Sequence, residues 1–177
     1  MQRVSVLNKQ TALRAKELGR VGEKLAPRYL KRAGFQSVSN LNEDEAANYP
    51  FFDMMASRKG VLYAISIKTR NKFEAISGNL NSRYKLFKRD RIARVQKAAN
   101  DLFAVPACLA IQVDGEIASV YFGIWDQFAD KTGISMLPDA IQHYECLVKH
   151  EAHGLDIEHL KNTYEIRSRG MPLFPPS

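Results

Sequence analysis

Two cysteines in 177 residues, Cys108 and Cys146, are too few for a disulfide framework and lack the spacing of a metal-binding pair. That shortage excludes the small disulfide-stapled secreted domains and fits a reducing, cytoplasmic setting. Long hydrophobic runs are missing too: no apolar stretch nears the roughly 20 residues needed to cross a bilayer. Arg3 and Lys9 have no hydrophobic stretch behind them, so no secretory signal is expected. Internal repeats and low-complexity tracts are absent. Met171 to Ser177, with Pro172, Pro175 and Pro176, alone reads as a flexible tail.

What remains has the make-up of one globular domain over residues 1–177, 45% hydrophobic and 25% charged, long enough for a single core. The net charge of +7 is unevenly spread. Residues 1–97 hold 21 Lys and Arg against 8 Asp and Glu, giving +13, whereas residues 98–177 hold 5 against 11, giving −6. A one-sided positive field of this kind attracts a polyanion and speeds its encounter.

Hydrophobic periodicity predicts the elements. Leu18, Val21, Leu25 and Tyr29 recur at helical steps between Thr11 and Gly34, with Leu30 alongside. Pro27 predicts either a kink near Glu23 or a fresh helix beginning around Ala26. Phe35–Leu41 reads as a weak strand, Phe51–Ser57 as a second, and Val61–Thr69 as a third. In the third, Val61, Tyr63, Ile65 and Ile67 share one face; Leu62, Ala64, Ser66, Lys68 and Arg70 share the other. A basic helix is predicted from about Lys85 to Leu102, then strands Ala107–Val113 and Glu116–Trp125 around the turn Asp114-Gly115. A last helix is predicted from Pro138 to about His150. The order α-β-β-β-α-β-β, then a C-terminal helical extension, gives a mixed central sheet flanked by helices, an α/β fold.

Asp53 and Lys68 fall on adjacent predicted strands, at the edge of a core where ionised groups need a reason. Gly19 to Arg70 resembles the core of the PD-(D/E)XK, or restriction-endonuclease-like, nucleases, particularly the branch with Holliday-junction resolvases. The carriers are Gly19-Arg20-Val21-Gly22-Glu23 for the opening helix, Asp53 three residues after Pro50, and Ser66-Ile67-Lys68 at the (D/E)-x-K position. The likeness covers about residues 15–125; about 126–170 form an extension with no resemblance.

The resemblance implies a divalent-metal-dependent nuclease acting on DNA phosphodiesters, using Mg²⁺ or Mn²⁺. Asp53 would be the central metal ligand, the Ile67 carbonyl a backbone ligand, and Glu23 an outer one, direct or through water. Lys68 would steady the attacking hydroxide and the scissile phosphate. Homodimers are expected by the same analogy. Ser66 departs from the pattern, because a hydroxyl is a poorer magnesium ligand than a carboxylate. Either another acid serves (Glu23, one of Glu43, Asp44 and Glu45, or Glu74), or the protein binds nucleic acid without cutting it. If Ser66 alone disables the site, Ser66→Glu creates cleavage.

Arg83, Lys85, Lys88, Arg89, Arg91, Arg94 and Lys97 surround a single acid, Asp90, and Arg70 and Lys72 lie just beyond Lys68. Such residues hold phosphates without reading sequence; the resemblance implies DNA in preference to RNA as the partner. Tyr84 and Phe87 suit base stacking or the core equally. A basic protein-interaction module remains a further alternative. His150, His153 and His159 lack the spacing of a zinc site.

Overall fold

The computed structural model describes residues 2–42, 49–74 and 77–155, with side chains from residue 15 onward. Glu43, Asp44 and Glu45, His159 and the tail lie outside the described residues. The chain opens with helix α1 (Gln2–Arg32), followed by strands β1 (Gln36–Asn40), β2 (Met54–Arg58) and β3 (Val61–Asn71). Short strand β4 (Arg83–Lys85) and a 3-10 turn at Arg89–Arg91 precede helix α2 (Ile92–Asp101). Strands β5 (Val105–Asp114) and β6 (Ile117–Ile124), short strand β7 (Gly133–Ser135), the single helical turn α3 (Pro138–Ile141) and strand β8 (Glu145–Ala152) complete it.

Six strands form one mixed sheet in the order β1-β2-β3-β5-β6-β8, and β4 pairs with β7 separately. All neighbours in the large sheet are antiparallel except β3 and β5, which run parallel. Parallel neighbours need a crossover, and α2 lies within it. The succession of one helix, three antiparallel strands, a crossover helix and a parallel strand is the order that the nuclease resemblance implies.

Period-two alternation in β3 divides the core as its sequence predicts. Tyr63, Ile65 and Ile67 join Leu18, Val21, Leu25, Tyr29 and Leu30 of α1 on one face. Ala64 joins Cys108 and Ala110 of β5 and Val95 and Ala99 of α2 on the other. Gly22 sets the approach of α1. A Cβ there would lie 1.7 Å from Thr69 Oγ1 and 2.9 Å from Thr69 Cβ, so no side chain fits. Gly19 meets nothing within 4 Å and plays no such part.

Three expectations change. The opening helix neither breaks nor restarts at Pro27, which lies within α1. Proline in a helix costs about 3 kcal/mol. Burying Leu18, Val21, Leu25, Tyr29 and Leu30 contributes roughly 1.5–3 kcal/mol each, which outweighs it. The predicted basic helix divides into β4, a 3-10 turn and a shorter α2, because Tyr84 is fully buried and Arg83–Lys85 pair with Gly133–Ser135. The predicted C-terminal helix survives only as α3; Glu145–Ala152 pair with the open edge of β6. Tertiary pairing there overrides local helical preference.

Candidate functional site

The site forms where β2 has not yet begun and β3 has lost its neighbour on that side. Asp53 lies in the turn just before β2, not inside a strand as predicted. Its backbone ties the turn down from both sides: Leu41 N–H donates to the Asp53 carbonyl, and Asp53 N–H to the Ile65 carbonyl, each at 2.9 Å. The side chain completes the hold, with Ile67 N–H donating to Asp53 Oδ2 at 2.6 Å. One residue of a strand points its N–H and C=O to the same side. The Ile67 carbonyl therefore lies on the strand edge that Asp53 occupies.

Phe51, two residues earlier, adopts φ +87°, a left-handed angle costing about 1–3 kcal/mol for a residue with a Cβ. The Ser66 hydroxyl donates to the Phe51 carbonyl. A buried hydrogen bond contributes about 0.5–1.5 kcal/mol, too little alone to hold that backbone. Edge-to-face packing of Phe51 on Phe87, centroids 5.9 Å apart, adds a similar amount, and buried Phe52 anchors the next residue. Ser66 itself is 1% exposed, beside Cys108 of β5 in the strand register.

Electrostatics identify Asp53 as the unusual group. Burial pushes its carboxyl above the ordinary carboxylate value, although the Ile67 N–H and, at longer range, Lys68 pull it down. Burial thus works against ionisation of a carboxylate that the backbone holds in place. Burial also pushes the Cys108 thiol up to about 12, with Lys68 opposing and Asp53 reinforcing the shift. Both charges are therefore felt from the face carrying Ala64, Ser66 and Lys68. Lys68 is half-buried on it, opposite Ala110 of β5.

Glu23 is exposed on α1, next to the glycine that seats the helix on Ile67 and Thr69. The fold thus brings the helix carrying it to the level of Ile67 and Lys68. Glu74 is exposed and accepts from the Ser77 hydroxyl of its own loop at 2.7 Å, so it does not substitute at position 66. Among the described residues no group of three or more His, Cys, Asp or Glu side chains gathers to hold an ion. The oxygens placed together here, those of Asp53 and the Ile67 carbonyl, do not make an all-protein cage, and Glu23 is exposed on α1. They do fit Mg²⁺, which commonly keeps several waters and uses one or two carboxylates.

The basic residues separate into two groups. Arg83 is engaged by Asp130 at 2.8 Å and also donates to Thr132 Oγ1. Lys97 pairs with Asp101 at 2.6 Å and Lys72 with Asp114 at 3.2 Å. Arg91 lies 3.8 Å from Asp90. Arg70 is half-buried and donates to its neighbour's carbonyl, Thr69 O, at 2.8 Å. Lys85, Lys88, Arg89 and Arg94 are exposed. Arg94 lies over the Phe51 ring, 5.9 Å from its centroid, which joins the α2 cations to the turn holding Asp53. The sequence marks Phe51-Phe52 only as the apolar pair before the aspartate; the left-handed angle of Phe51 and its contacts with Phe87 and Arg94 carry no local signal. Tyr84 is core, and Phe87 packs against Phe51, Phe52 and Trp125, so neither is a free stacking platform. His153 is buried, its ring bonded to the Gly115 carbonyl and the Leu155 N–H.

No protein-family model and no curated protein matches this sequence. Among solved structures the chain is similar to Hjc of Archaeoglobus fulgidus, a Holliday junction resolvase from an archaeal hyperthermophile. The identity is 11% and the TM-score 0.49, over 71% of this chain and 93% of that one. No helix among the described residues is long and apolar enough to cross a membrane.

Proposed function

We propose that this protein is a divalent-metal-dependent nuclease acting on DNA phosphodiesters. The observation carrying the proposal is a partly buried Asp53 whose carboxylate is held by Ile67 N–H at 2.6 Å, one residue before Lys68. Asp53, the Ile67 carbonyl and Glu23 would hold Mg²⁺ or Mn²⁺. Such an ion, when bound, makes a water nucleophilic at neutral pH and offsets charge building on the phosphoryl oxygens.

The remaining work falls to side chains of the chain. Asp53 is pre-positioned by three backbone hydrogen bonds, so little ordering is left for the moment of reaction. Lys68 supplies a fixed positive charge on the even-numbered face of β3, suited to a phosphate oxygen. Exposed Lys85, Lys88, Arg89 and Arg94 extend the positive surface to Phe51 and hold neighbouring phosphates without reading bases.

A second reading has an observation of its own. Ser66 spends its hydroxyl on the Phe51 carbonyl, and among the described residues no group of three or more acids, histidines or cysteines gathers around Asp53. Those facts favour a nuclease-like platform that binds nucleic acid and leaves it intact. One assay separates the two readings: incubation with single-stranded, duplex and four-way-junction DNA and with RNA, in Mg²⁺ or Mn²⁺. Under the nuclease reading Asp53→Ala and Lys68→Ala each lower cleavage at least about a hundredfold, the usual scale for removing one group that stabilises the transition state. Salt-sensitive binding with no cleavage in any condition establishes the platform instead. Neither cutting nor binding rejects both.

A further inference from the structure

We infer that Ser66 is a positioning residue for Asp53, acting through Phe51, and is not the remnant of a lost metal ligand. The inference rests on Asp53 being the working carboxylate of the site.

Three features of the turn interlock. Phe51 stands at φ +87°, an angle at which a Cβ is disfavoured and which its surroundings must impose. The one side chain bonded to its carbonyl among the described residues is Ser66, 1% exposed and fifteen residues away in sequence. Two residues beyond Phe51, the Asp53 carboxylate meets the N–H of Ile67, the residue immediately after Ser66. Positions 66 and 67 of β3 therefore grip both ends of the Phe51–Asp53 turn, Ser66 by donating to a carbonyl and Ile67 by donating to a carboxylate. Between these grips Asp53 N–H reaches the Ile65 carbonyl.

This grip explains why an acid is out of place at position 66. The Phe51 carbonyl is an acceptor, and an ionised carboxylate is acceptor-only, so the two would repel where serine donates. Glutamate would also force added volume into a position that is 1% exposed and lies beside buried Cys108 in the strand register. Restoring the (D/E)-x-K pattern therefore dislodges the turn and does not rebuild a metal site. The expectation that Ser66→Glu creates cleavage reverses. Alanine leaves an unpartnered carbonyl and releases Phe51 from one of its restraints; threonine keeps the donor.

The amide of Ile67 reads the geometry directly. A proton donated to a carboxylate oxygen at 2.6 Å resonates far downfield and exchanges slowly. Spectra of ¹⁵N-labelled protein are recorded without metal or nucleic acid, with Asp53→Ala as the reference for a lost bond. Ser66→Ala should move the Ile67 resonance most of the way to that reference and raise its exchange rate roughly tenfold. The Tyr63 and Ile65 amides, lower in the strand, report that β3 is intact. Ser66→Thr should restore the wild-type position, and Ser66→Glu should match alanine and gain no metal-dependent cleavage. Should Ser66→Ala fold poorly, adding Phe51→Gly decides, because glycine takes the left-handed angle unaided and should return the Ile67 resonance.

An unmoved Ile67 amide in folded Ser66→Ala overturns the inference, as does Ser66→Glu that keeps the resonance and begins to cut. So does a folded double variant in which the resonance stays lost. A wild type that never cleaves rejects the nuclease reading while leaving the Ile67 measurement standing, so the two failures are distinguishable.

Discussion

At the scale of single residues, Asp53 holds its charge against its surroundings, and the consequence is measurable without any substrate. Folding raises its carboxyl above the ordinary value of 3.8, chiefly through burial, so the folded chain binds this proton more tightly than the unfolded chain. The contribution to stability is therefore greatest in acid and is lost as pH rises through the raised value. At neutral pH the ionised group is a cost. Asp53→Asn removes that cost, and its amide oxygen can still accept from Ile67 N–H. The variant should be more stable than wild type at pH 7 by about 1 kcal/mol, a common gain when a strained functional group is removed. The gain should shrink as pH is lowered toward 3.8. Urea unfolding of both proteins across that range checks it; a variant less stable than wild type at neutral pH shows that Asp53 is held by more than the structure accounts for.

At the scale of elements, the stretch from β4 into α2 shows which cations are free to meet a ligand. Arg83 and Lys97 are spoken for by Asp130 and Asp101, whereas Lys85, Lys88 and Arg94 are exposed outside any ion pair with an acid among the described residues. Each phosphate contact contributes about 0.9 to the slope of log affinity against log salt. Replacing Lys85, Lys88 and Arg94 by glutamine together should flatten the slope by about 2–3, whereas Arg83→Gln with Lys97→Gln should change it by less than about one. Fluorescence anisotropy with labelled duplex over a salt series measures both. Equal effects from the two sets would mean that the ion pairs open on binding.

The same segment shows where sequence reading succeeds and where it stops. The alternation of Tyr63, Ile65 and Ile67 against Ala64, Ser66 and Lys68 was legible because a strand buried on both faces still sorts its side chains by face. Asp53 and Lys68 were legible as charges beside apolar runs. Position 84 stayed open between stacking and core because a tyrosine amid Arg83, Lys85 and Lys88 carries no local mark of burial, and pairing with Gly133–Ser135, some fifty residues on, makes it core. Glu145–Ala152 failed for the same reason: the edge of β6 decides its conformation, and no local pattern announces an open edge. The role of Ser66 was invisible because it depends on the left-handed angle of Phe51, which no residue type there declares.

At the scale of the whole molecule, the contrast between +13 and −6 in the two parts of the sequence is partly offset by folding. Five ion pairs join residues of the first part to residues of the second: Arg32–Glu151, Arg58–Glu145, Lys72–Asp114, Arg83–Asp130 and Lys97–Asp101. Folding thus spends part of the asymmetry internally and leaves Lys85, Lys88, Arg89 and Arg94 exposed outside any ion pair with an acid among the described residues. Most of these pairs are at least partly exposed, and pairs of that kind are worth about 0–1 kcal/mol and are screened by salt. Stability rests mainly on the two apolar clusters flanking the sheet, which salt does not weaken. Stability and nucleic-acid binding should therefore respond differently to one variable. Between 50 and 500 mM NaCl the melting temperature should shift by only a few degrees, the scale of about 1 kcal/mol in a chain of this size. Affinity for duplex DNA over the same range should fall by several orders of magnitude if four or more phosphates are held. Circular-dichroism melts and anisotropy on the same samples test the separation. A melting temperature that collapses alongside affinity would mean that the crossing ion pairs hold the fold together, and the free cations near Phe51 could then no longer be treated apart from those that are paired.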